Sequence, residues 1–148
     1  MRTTLAVISF LFFSSCGLQN SYYLYRNYEK DLVQTQTIGS PMIQTTVEFK
    51  NDVYGTILQR SQSELLYSGK SGDVIKIVYR EYSNDIARPA FSQELQYDLK
   101  ESNVIKFRRT TIEVIKATNQ EITYKVLESP NFAYPQGKLT KQQVEQMR

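Results

Sequence analysis

The chain carries 15 acidic side chains and no histidine, which bounds the chemistry open to it. Without an imidazole it can build neither a Ser-His-Asp nor a Cys-His relay. Zinc and copper sites resting on imidazole or on sets of thiolates are closed to it too, because Cys16 is the single cysteine. Carboxylates remain. Glu94 and Asp98 stand on the polar side of an alternating stretch, and Glu81 precedes a loop that holds Asp85. Two facing carboxylates can cleave a glycosidic bond. Here the alternation makes solvated strand faces the plainer reading. Asn84 and Asp85 offer oxygens to calcium, but no ligand-loop spacing surrounds them. Gly69 and Gly72 sit in a hairpin-like turn that no helix follows, so they do not form a phosphate loop. No catalytic residue, cofactor or metal is therefore expected.

One pattern is specific. Arg2 supplies an early positive charge, Leu5 to Phe13 is apolar, Ser14 and Ser15 are small, and Cys16 comes immediately after them. The apolar run is shorter than the roughly 20 residues a spanning helix needs. A charged start, a short apolar core and a small-residue exit are the layout of a secretory signal. Phe13-Ser14-Ser15-Cys16 resembles the lipobox of bacterial lipoproteins, with Phe13 where leucine is usual. The resemblance covers the first 16 residues. It implies cleavage before Cys16 and diacylation of its thiol, and in many such proteins its new amino group is acylated too. One acyl chain holds marginally and two or more hold stably, so the implied anchor is a firm one. By resemblance to Gram-negative lipoproteins, aspartate after the cysteine favours the inner membrane; Gly17 stands there and points to the outer one.

The chain beyond the signal has single-domain length. The formal charge of +3 falls to about +2 without Arg2, too weak a balance to expect nucleic acid as a partner. With Cys16 lipidated the domain has no thiol, so packing alone must stabilise it. Eleven tyrosines and seven phenylalanines suit strands.

The elements can be read in order. Residues 1–15 are the signal. Residues 16–39 are a lipidated start and then a tether or a short helix, because Tyr22, Tyr25, Tyr28 and Leu32 recur near helical spacing. Gly39-Ser40-Pro41 is a turn, and residues 40–136 read as the β domain. Strands are expected over 42–50, 53–58 and 63–68, the last closed by a turn at 69–73. Residues 73–82 are apolar on both sides and read as a central strand. Residues 91–99 alternate, 104–109 and 111–116 come next, and 121–127 pairs back across Asn119-Gln120 with Ile122, Tyr124 and Val126 on one face. Residues 137–148 are a tail or a short helix starting near Thr140. The fold class is mainly β: an antiparallel sandwich or small barrel of about seven short strands, with a short helix near each end.

Two stretches stand out for binding. The loop from Tyr82 to Phe91 combines Asp85, Arg88, a rigid Pro89 and aromatic ends, residue types that interfaces favour. Tyr82, Asp85, Arg88 and Phe91 are the candidate partner-binding residues; the plainer reading is a corner in which Arg88 pairs with Asp85 or Glu81. Lys106 and Arg108 could touch anionic lipid or polysaccharide, although alternation makes them one solvated face. The region from Glu64 to Leu127, with Tyr67-Ser68-Gly69, Tyr79-Arg80-Glu81-Tyr82 and Ala87-Arg88-Pro89-Ala90-Phe91, is similar to small uncharacterised bacterial lipoproteins.

The expectation is a non-catalytic envelope lipoprotein, held to the membrane through Cys16 and binding another envelope protein. An inhibitor or binder of an envelope enzyme or glycan comes second, and a hydrolase using carboxylates alone comes third.

Overall fold

The computed structural model describes residues 19–87 and 92–147. The signal segment, Cys16, Arg88 and Phe91 lie outside the described residues. The elements are β1 (Asn20–Arg26), β2 (Val33–Thr37), β3 (Pro41–Asn51), β4 (Ile57–Ser71), β5 (Val74–Ser83), β6 (Ile86–Ala87), β7 (Gln93–Asp98), β8 (Val104–Phe107), β9 (Thr110–Ala117), β10 (Glu121–Glu128), β11 (Gly137–Lys138) and α1 (Lys141–Met147). The protein is mainly β, as expected. Its strands form two antiparallel sheets packed as a sandwich, not a closed barrel. The first sheet runs β11-β1-β3-β4-β5, and β6 and β7 share the free edge of β5. The second runs β2-β10-β9-β8.

Same-face alternation explains how the sheets meet. Ile43, Leu65, Tyr67, Ile75, Ile77 and Tyr79 point inward from the first sheet. Ile105, Ile112, Val114, Ile122, Tyr124 and Val126 answer them from the second. The expected β9–β10 hairpin is present, and Ile122, Tyr124 and Val126 are all fully buried. Full burial of such a side chain contributes about 1.5–3 kcal/mol, so this layer dominates the stability.

The start of the chain is a correction. The short helix expected around Tyr22, Tyr25 and Tyr28 is a strand. β1 pairs with β3 over seven residues, from Asn20↔Asn51 to Arg26↔Thr45. The chain then crosses to the other sheet, where β2 pairs with β10. Tyr28 marks the crossing; its buried hydroxyl meets Thr45, Ser129 and Asn131 at 3.0–3.2 Å. The β domain therefore begins at Asn20 rather than 40, and through β11 it runs past 136.

A second correction concerns the turns. The segments read as two strands and a turn cluster between 53 and 73 are one turn and then the 15-residue β4. Gly69, at φ +108°, sits at a bulge beside Tyr67, and the chain reverses only at Gly72-Asp73. At the far end, Thr140 caps α1 through Gln143 N–H (3.3 Å). Arg26 ties the preceding segment down: its guanidinium donates to the carbonyls of Asn131 and Tyr134 (3.2 and 3.0 Å) and lies 5.6 Å from the Phe132 ring.

Candidate functional site

The second sheet covers only part of the first. Along β3, β4 and β5 the inward positions change from Ile43, Leu65 and Tyr79 to Thr45, Ser63 and Glu81, then to Val47, Ser61 and Ser83. Thr45, Val47, Ser61, Ser63 and Glu81 of these last two rows, with Gln62 and Tyr82, line an open shallow hollow, a shelf beside the covered core. Where the shelf meets the second sheet, a cavity of about 190 Å³ opens, lined by Tyr28, Thr45, Ser63, Tyr79, Arg108 and Asn131 among others.

The β8–β9 turn forms its wall. Arg108 takes φ +52° there, a backbone shape that suits a tight two-residue reversal between Phe107 and Thr110. Its guanidinium lies 4.5 Å from the Tyr79 ring and 5.5 Å from that of Phe107. It also donates to Glu81 Oε1 at 3.2 Å, and the Tyr79 hydroxyl donates to the same oxygen. Burial, and then the bond to Glu81, push the Tyr79 hydroxyl up to about 12, against the opposing pull of Arg108. Chemically the shelf offers hydroxyls, one carboxylate already held by a cation and a phenol, and aromatic flanks.

Of the expected partner-binding residues, Tyr82 borders this hollow from β5. Its hydroxyl donates to Glu64 (2.8 Å). Asn84 and Asp85, at φ +50° and +64°, make a two-residue hairpin turn. Asp85 accepts from Arg60 at 2.9 and 3.1 Å. Arg60 in turn holds Glu48, which Lys50 also reaches at 2.5 Å. Burial pushes the Glu48 carboxyl up, but Lys50 and Arg60 outweigh that and hold it below the usual carboxylate value. Among the described residues, the cations paired with Asp85 and Glu81 are Arg60 and Arg108. Arg88 and Phe91 lie outside the described residues. Lys106 and Arg108 do not share a strand face, because Arg108 belongs to the turn. Glu94 and Asp98 are exposed along β7.

Sequence reasoning passed over Ser61, Ser63, Thr45 and Arg108 as shelf residues. The available signal was the change from apolar to polar at successive same-face positions, as in Leu65, Ser63, Ser61 and Ile77, Tyr79, Glu81, Ser83.

No family model matches the chain, and neither a curated protein nor a solved structure matches it. No helix among the described residues is long and apolar enough to cross a membrane.

Proposed function

We propose that this protein is a lipoprotein of the bacterial envelope, anchored through acylated Cys16, whose sandwich is a non-catalytic module that docks another envelope protein on its open shelf. In a cell with two membranes, Gly17 favours the outer one. The observation that carries the reading is spacing. β1 begins at Asn20, so three residues separate Cys16 from a strand inside the first sheet. A domain built this close to its acylation position is held at the membrane surface. The shelf supports the docking role, because a polar, walled and uncovered sheet face can receive a partner's chain. Hydrolysis by carboxylates ranks last: Glu81 is held by Arg108 on the inner face, and Asp85 by Arg60 towards the outer one.

Two measurements test this. Cys16→Ser should release the protein from membranes after a high-salt wash without moving its melting transition; continued membrane retention would end the anchor reading. A photo-crosslinking residue at Ser61 should give one discrete protein adduct in living cells, and the same probe at Ile115 on the second sheet should give none. An adduct with a glycan strand or an envelope hydrolase would turn the module into an inhibitor or binder. Absence of any adduct at Ser61 would remove the docking role.

A further inference from the structure

The turn between β3 and β4, together with the first two residues of β4, carries four apolar side chains that the core does not use. Val53, Tyr54, Ile57 and Leu58 are 59%, 76%, 41% and 50% exposed. The turn is nonetheless tightly built. Buried Asn51 accepts from Val53 N–H and Tyr54 N–H at 3.1 and 3.0 Å, and its own N–H donates to the carbonyl of Thr56 at 2.9 Å. Gly55, at φ +67°, closes the reversal. The tip is a fixed protrusion with its apolar side chains aimed outward.

Its position gives it an occupant. Asp52 N–H donates to the carbonyl of Gln19 at 2.8 Å, and Asn51 donates to Asn20 at 3.0 Å. Asp52 also takes Ser21, Tyr23 and Lys138, at 2.7, 3.0 and 2.7 Å. The tip is thus bonded directly to the first described residues. Gln19 lies three residues from Cys16, a span of at most about 11 Å when fully extended. Tyrosine and aliphatic side chains are at home where lipid meets water. The nearby cations Lys50 and Lys138 are already paired with Glu48 and Asp52, so the contact rests on the apolar side chains of the tip.

We infer that the β3–β4 tip is a second, non-covalent membrane contact: Val53, Tyr54, Ile57 and Leu58 enter the lipid interface beside the anchor and fix the sandwich's orientation on the bilayer. The inference rests on the proposed anchor at Cys16. A lone acyl anchor would leave the domain free to tumble; a rigid apolar tip beside it removes that freedom.

The chain contains no tryptophan, so one can be placed as a reporter without background. The mature lipoprotein carrying Tyr54→Trp would be reconstituted into phosphatidylethanolamine–phosphatidylglycerol vesicles, with and without bromine on the acyl chains. Val53→Trp serves as a second reporter and Ile115→Trp as a control on the second sheet. The expected result is a blue-shifted emission and loss of intensity on brominated lipid for the two tip reporters, with neither for the control. Tip reporters that emit as in water on vesicles that carry the protein would overturn the inference and leave the anchor standing. A blue shift without bromine quenching would overturn it in favour of a second copy covering the tip. Failure of the protein to float with vesicles at all would remove the anchor, and the inference with it.

Discussion

The first sheet has two inner faces along the same three strands, and they behave as different surfaces. Near the Gly72-Asp73 turn its inward residues are Leu65, Tyr67, Ile75, Ile77 and Tyr79, all buried beneath the second sheet. Two residues further along each strand the face becomes Thr45, Ser63 and Glu81; Thr45 is still buried against Tyr28 and Asn131, Ser63 and Glu81 are half-buried, and Ser61 in the next row is exposed. The coverage is written in the strands themselves, since an apolar row calls for a lid and a polar row tolerates water. Most of the apolar burial therefore lies at one end of the sheet; at the other, among the described residues, it is confined to Leu24, paired with Val47, and Leu139. The two ends meet at Tyr79, whose ring packs 4.9 Å from Phe107 while its hydroxyl faces Glu81.

Mutations should break this contrast or sharpen it. Ile77→Ala in the closed end should cost about 2–5 kcal/mol in urea unfolding, as large-to-small core substitutions do. Ser61→Ala on the shelf should stay within about 0.5 kcal/mol, as surface changes do. Equal costs would mean that the shelf belongs to the core. Next in size is Tyr28→Phe, which strips the hydroxyl shared by Thr45, Ser129 and Asn131 at the boundary. It should cost about 1–3 kcal/mol, with an unchanged denaturant slope.

The outer-face ion network gives a smaller, acid-dependent effect. The carboxyl of Glu48 ionises below its ordinary 4.5 in the folded protein, so the folded state binds fewer protons than the unfolded one in that window. Its contribution is full above 4.5 and is lost as the pH falls through the lowered value. Glu48→Gln should flatten the acid limb of the stability curve. The smallest effect is local. Glu81→Gln should bring the Tyr79 hydroxyl down from about 12, whereas Arg108→Ala should raise it, both read by tyrosinate absorbance. In the parent protein the raised value contributes stability that is full below pH 10 and lost as the pH climbs towards 12. Movement of the hydroxyl in the same direction by both substitutions would contradict the geometry drawn around Glu81.

The parts legible in the sequence were those with local signals. Ile122, Tyr124 and Val126 alternate on one side of a short turn, and the hairpin is there. Thr140 marks the start of α1. β1 was hidden because tyrosines occupy both of its faces: Tyr22 stacks on Phe49 at 4.7 Å while Tyr23 bonds Asp52 on the other side. That erased the two-residue period and left a false helical one. Its partner, β3, lies across the intervening β2, so nothing local announced the pairing. β4 was cut short for another reason: a glycine at positive φ serves a bulge as well as a turn, and Gly69 serves the bulge. The shelf needed the register of three strands before Ser61, Ser63 and Glu81 could be placed together. Arg108 could be assigned to Glu81 only once the second sheet lay over the first.

The mass of the mature N-terminus, measured on protein taken from the membrane fraction, bears most directly on the proposed anchor. A chain that begins at Cys16 and carries a diacylglyceryl group on its sulfur is expected. A chain beginning elsewhere, or a Cys16 of unmodified mass, would contradict the lipoprotein reading and remove the basis for placing the sandwich at the membrane.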